Sequence, residues 1–323
     1  MRLSILFLLI AVSLSSGSPD AEGPKVSIES RTKPAGPAAN NPRTDIRVDT
    51  TLVLVPVHVT DPLNVTVTGL EKENFRLYED KVEQEIVSFS SEDAPLSIGL
   101  VFDNSGSMEN KLSKSRQAVG EFLKTANPHD EFFMVRFNDR PELVEDFTLD
   151  TSGIQNRLVF TEARGRTSLL DAVYMALHKM KKAHNPRRAL LIISDGGDNS
   201  SRYTETEIRN LVREADVQIF AIGIFEPFAS RGRSAEELAG PGLLNELAQQ
   251  TGGRHFPVEN LNDLPDIAAK IGIALRNQYV LGFVPINKER DGKYRKLQVK
   301  LVPPKGLPAL KAYWRVGYYA PIQ

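Results

Sequence analysis

Five oxygen-bearing side chains fall into a pattern that suits a hard cation. Asp103, Ser105 and Ser107 form Asp-x-Ser-x-Ser directly after the apolar run SIGLVF (97–102). Alternate residues of an extended segment point the same way, so a turn leaving a strand can aim these oxygens at one point. Thr167, in the loop GRTSLLDA (165–172), adds a hydroxyl, and Asp195, directly after ALLIIS (189–194), adds a second carboxylate. Two carboxylates and three hydroxyls, with neither His nor Cys, favour octahedral Mg²⁺ or Mn²⁺ over Zn²⁺. With hydroxyls and waters in the direct positions, such an ion stays electrophilic and accepts a carboxylate from outside.

Other chemistries fit these residues poorly. Asp103 and Ser107 stand at the two positions flanking Ser105 where a hydrolase elbow requires glycine. Ser105 also replaces the second carboxylate of an aspartyl phosphotransferase, which leaves Asp103 without an acid–base partner. No enzyme is therefore expected. Asp198 and Asn199 read as Asx-turn residues that set up a helix, and Asp171 as a cap or loop ion pair, so none joins the metal set. Asn104 and Met108 either shape the rim or pack beneath it. Arg164 and Arg166 flank Gly165 and read either as a solvated loop or as a basic rim suited to acidic ligands. His58, His129, His178, His184 and His255 have no metal-ligand spacing.

The candidate ligands need a scaffold that gathers loops. After Pro95, apolar strand runs alternate with amphipathic helical stretches, the pattern of a mostly parallel sheet covered by helices. Strands are predicted at 97–102, 132–137, 142–145, 189–194, 217–224 and 254–256. Helices are predicted at 111–126, 154–160, 169–182, 205–215, 243–250 and 264–275. In such doubly wound sheets ligands bind beyond the C-terminal ends of the strands, where all five candidates fall.

The flanks are β-rich. Before the α/β part, strands are predicted at 51–60, 64–68, 75–78 and 85–89; after it, at 279–284, 294–302 and 309–319, with an AspGly turn signal at 291 and 292. The early strands are too few for a core of their own, so they are expected to pair with the late ones in one sheet or sandwich. Tyr313, Trp314, Tyr318 and Tyr319 read as core of that module. The expected organisation is a signal peptide (1–18), a flexible linker (19–43), an N-terminal β module (44–92), the α/β domain (93–277) and C-terminal strands (278–323).

The leader MRLSILFLLIAVSLSSGS has the three-part layout of a secretory signal, with an apolar run too short to span a bilayer. The Pro-, Gly- and Asn-rich stretch 19–43 cannot bury enough apolar surface to order itself. The 323 residues contain no cysteine, hence no disulfide and no thiol for lipidation. Net charge is −1 without blocks of one sign, which argues against nucleic acid as a partner. A secreted or periplasmic product without an integral membrane segment is expected.

The pattern Asp-x-Ser-x-Ser, a distal Thr and a distal Asp resembles the metal-ion-dependent adhesion site of von Willebrand factor type A (VWA) and integrin I domains. The resemblance covers about residues 95–277. It implies a Rossmann-like VWA fold, direct ligation by the serines and at times the threonine, aspartates acting through water, and an open coordination position for a partner's Glu or Asp. The flanking runs GLEKENFRLYEDKVEQEI, QYVLGFVP, DGKYRKLQVKL and GYYAP are similar to VWFA-related proteins of the acidobacterial type. The expected function is an exported, metal-dependent adhesion or protein-binding module; the alternative is an envelope scaffold in which the metal is structural.

Overall fold

A computed structural model describes residues 52–225, 235–302, 304 and 306–322, with 235–238 described by backbone alone. The expected leader and linker lie outside these residues. In chain order the strands are β1 (Val53–Thr60), β2 (Phe75–Glu79), β3 (Val82–Gln84), β4 (Ile86–Ser90) and β5 (Leu96–Asp103). There follow α1 (Leu112–Leu123), β6 (Glu131–Phe137), β7 (Pro141–Thr148), α2 (Thr151–Val159), α3 (Leu169–Met180) and β8 (Arg187–Ser194). Next come α4 (Glu205–Glu214), β9 (Gln218–Ile224), α5 (Ala235–Gln250), β10 (His255–Val258) and α6 (Leu264–Arg276). The chain closes with β11 (Tyr279–Phe283), β12 (Tyr294–Leu301), β13 (Lys311–Trp314) and β14 (Gly317–Tyr319).

The central sheet has six strands in the order β10-β9-β8-β5-β6-β7, all parallel except β7, which runs antiparallel to β6. This is the doubly wound α/β arrangement, with its switch point between β5 and β8. Every residue of β5 is buried, as a strand covered on both faces requires. One face packs Ile98, Leu100 and Phe102 against Val119 and Phe122 of α1 and Ile271 and Leu275 of α6. The other packs Val101, Leu190 and Ile192 against Val173 and Leu177 of α3 and Leu244 and Leu247 of α5.

The flanking strands build two four-stranded sheets, ordered β13-β1-β11-β4 and β14-β12-β2-β3. Strands from before and after the α/β domain alternate: β1 lies between β11 and β13, and β12 between β2 and β14. Their inner faces share one core of Val55, Val57, Phe75, Leu77, Tyr279, Leu281 and Val299. Several expectations need correction. Residues 64–68 make a single bridge, Thr60 to Thr66, instead of a strand. The run 309–319 breaks at Arg315 and Val316, so that β13 joins one sheet and β14 the other. The AspGly signal does mark a turn, with Gly292 at φ +65° and the Lys293 N–H on Asp291 Oδ1 (3.1 Å), between strands β11 and β12 of different sheets.

Both connections between sandwich and α/β domain pass the N-terminal ends of the strands, and Arg187 clamps them together. Its guanidinium donates to Ala94 O (3.3 Å) ahead of β5, and to Leu275 O (2.6 Å) and Gln278 Oε1 (3.2 Å) around the exit from α6. The opposite end of the sheet is left to the candidate metal ligands.

Candidate metal centre

Asp103 is the last residue of β5, and Asp195 follows the last residue of β8, its hydrogen-bonded neighbour. The two carboxylates thus arrive side by side at the switch point. Asp103 is fully buried. Its Oδ1 accepts the Ser105 N–H (2.8 Å) and its Oδ2 the Ser194 hydroxyl (2.6 Å), while the Ser194 oxygen accepts the Gly196 N–H (2.9 Å). The Ser105 and Ser107 hydroxyls lie 3.1 Å apart.

Backbone hydrogen bonds fasten the three loops together. Gly106 N–H donates to Gly165 O (3.0 Å) and Arg164 N–H to Asn104 O (2.9 Å), joining the Asp-x-Ser-x-Ser turn to the Thr167 loop. Thr167 N–H donates to Asn199 Oδ1, and Thr167 O accepts from Asn199 and Ser200, each at 3.0 Å, joining that loop to the one carrying Asp195. Thr167 is buried and Ser107 exposed, so the five candidates run from the sheet interior to the surface. Gly165 (φ +77°) and Gly196 (φ +83°) supply left-handed turns that side-chain-bearing residues disfavour. Asp198 caps α3 by accepting the Leu170 N–H (2.8 Å), and Asp171 accepts from Arg202 (2.8 Å), so both serve the loops.

Burial, and after it the charge of Asp195, push Asp103 up to about 7, against hydrogen bonds from Ser105 and Ser194 that favour the ionised form. Asp195 Oδ1 is buried without a hydrogen-bond partner among the described residues. Two crowded buried carboxylates, one with an unsatisfied oxygen, beside three hydroxyls fit a divalent cation, which would relieve both the repulsion and the missing bond.

Lys111 was not apparent as a site residue from the sequence. Its ammonium lies 3.0 Å from Asp195 Oδ2, with the two side chains only 8% and 10% exposed. It stands at the N-cap of α1, where no side chain caps the helix. A cation there opposes the helix dipole, so a partner must hold it, and that misplaced charge was the available signal.

Residues 98–197 match the family profile of the von Willebrand factor type A domain. The chain contains a type A domain. The type A fold, a mostly parallel sheet with helices on both faces, is what β5 to α6 display. An uncharacterized protein of Borreliella burgdorferi is 24% identical over 196 residues, covering 53% of this chain and 57% of the relative. Inter-alpha-trypsin inhibitor heavy chain H4 of Bos taurus is 26% identical over 134 residues, covering 38% of this chain and 15% of that protein. The chain therefore spans 57% of one relative's length and 15% of the other's. Among solved structures, the von Willebrand factor type A protein from Catenulispora acidiphila aligns over 84% of this chain and 75% of its own, at 11% identity and a TM-score of 0.48. The von Willebrand factor domain of a type V pilus tip protein from Porphyromonas gingivalis aligns over 57% of this chain and 97% of its own, at 13% identity and a TM-score of 0.43.

Proposed function

We propose that the type A domain is a metal-dependent protein-binding or adhesion module, exported by the leader at residues 1–18 to the periplasm or beyond. Asp103, Ser105, Ser107, Thr167 and Asp195 would hold Mg²⁺ or Mn²⁺ at the exposed end of the sheet. When bound, the ion supplies an electrophilic position for an acidic side chain of a protein partner. The observation that carries this reading is the buried Asp195 oxygen left unsatisfied beside the repelled carboxyl of Asp103. The Ser105 and Ser107 hydroxyls face one another 3.1 Å apart, near enough to serve one ion together.

Calorimetric titration of the full chain with MgCl₂ and MnCl₂ tests the site. Saturable one-to-one uptake that disappears in Asp103→Ala is expected; equal uptake by both proteins would overturn the assignment. Partner capture should then be lost in EDTA and return with Mg²⁺.

A further inference from the structure

Next to the candidate metal centre lies a polar pocket of about 340 Å³ with Asn104, Arg136, Arg140, Phe160, Glu162 and Arg164 in its lining. Asn104 directly follows Asp103 and is only 3% exposed. Its amide nitrogen donates to Glu162 O (3.0 Å), but its Oδ1 is buried with no partner among the described residues. An amide acceptor so deprived of water needs a donor from whatever enters the pocket.

The charges lining the pocket are unevenly engaged. Arg136 is held by Glu142 through two bonds of 2.7 and 3.1 Å. The guanidinium groups of Arg140 and Arg164 have no ion pair or side-chain hydrogen bond among the described residues; of the two carboxylates in the lining, Glu142 is taken by Arg136 and Glu162 is exposed, so three guanidinium groups stand against two carboxylates. Phe160, 83% exposed, adds an apolar wall. Free guanidinium groups provide paired donors for a carboxylate, Asn104 Oδ1 an acceptor for an N–H, and Phe160 a surface for aliphatic carbon. A fully ionised phosphate monoester has no donor for the Asn104 acceptor, whereas a peptide segment carries both the carboxylate and the N–H.

The geometry points to a second anchor site for an acidic peptide: one carboxylate of the segment goes to the metal position, and a second acidic side chain enters this pocket against Arg140 and Arg164, with a backbone N–H of the segment on Asn104. This inference rests on the metal-dependent reading for the first anchor and adds which partners are selected. The occupant is a protein segment with two nearby acidic side chains.

Fluorescence anisotropy on the full chain in MgCl₂ tests it with two labelled Gly/Ser peptides, one with a single Glu and one with two Glu separated by one residue. The two-Glu peptide should bind roughly tenfold more tightly. Arg140→Gln combined with Arg164→Gln should abolish that gain while leaving single-Glu binding unchanged; both changes are on exposed side chains. Equal affinity of the two peptides for the wild type, or a gain that survives in the double variant, would overturn the second anchor. If the arginine-dependent gain persists in EDTA and in Asp103→Ala, the pocket stands and the metal reading falls. If neither peptide binds, the acidic-segment assignment is overturned.

Discussion

Asp195 has neighbours of opposite demand: an ammonium on one oxygen and no partner on the other. Lys111 therefore acts as a resident counter-charge that offsets one carboxylate of the candidate centre and would repel an incoming divalent ion. Replacing it by methionine preserves the aliphatic stem and removes the charge. Lys111→Met is expected to tighten Mg²⁺ binding by roughly tenfold, about 1.4 kcal/mol, in calorimetric titration. Weaker binding would mean instead that Lys111 orients Asp195 for the ion. At this scale the sequence singled out five candidate oxygen donors because each follows a buried strand or opens a helix, and the structure brings their loops to one end of the sheet. Lys111 and Asn104 were not, since what distinguishes them is burial and a bond present or missing, which side-chain type alone does not reveal.

The loop after β8 reaches the candidate metal centre by passing over α5 with the two backbones in close contact. A Cβ built on Gly196 would lie 2.8 to 3.0 Å from backbone atoms of Gly240, and φ there is +83°. Gly196→Ala should thus destabilise by about 1–3 kcal/mol and lower the melting temperature by several degrees, with weaker Mg²⁺ binding. Gly242, two residues further along α5, has nothing within 4 Å of a built Cβ, so Gly242→Ala should leave both measurements near wild type. Equal effects of the two changes would discount the contact. Elements of the α/β part were readable because strands covered on both faces are continuous apolar runs and their helices carry one apolar stripe. Sandwich elements were harder to read. β3 has three residues, two of them exposed, and the switch between sheets at Arg315 and Val316 interrupts no polarity pattern. Apart from the local pairs β2–β3 and β12–β14, the sandwich strands pair across 190 residues or more, beyond any local signal.

At the scale of the molecule, stability depends on how the sandwich tolerates acid. His58, on β1, is buried with Nε2 3.1 Å from Thr66 Oγ1 and Nδ1 unpartnered among the described residues. Burial, and then the charge of Arg254, lower it from 6.5 to about 4. Since the unfolded chain takes up a proton near 6.5 and the folded chain only near 4, its contribution is full above pH 6.5 and is lost as pH falls towards 4. Between pH 7.5 and 5 the wild type should lose roughly 2 kcal/mol more stability than His58→Phe in urea unfolding. Parallel losses in both proteins would assign the acid sensitivity elsewhere. The interleaving of early and late strands has a further consequence, for synthesis. The α/β domain can close as soon as α6 has emerged, but β1 and β4 were made some 200 residues earlier and have no partners, and β2 only β3, until β11 to β14 follow. Their exposed edges are a template for pairing with other chains in that interval. The order of translation thus makes the sandwich, the part of the fold most remote in sequence from its own other half, the stage at which a nascent chain is most in need of a chaperone.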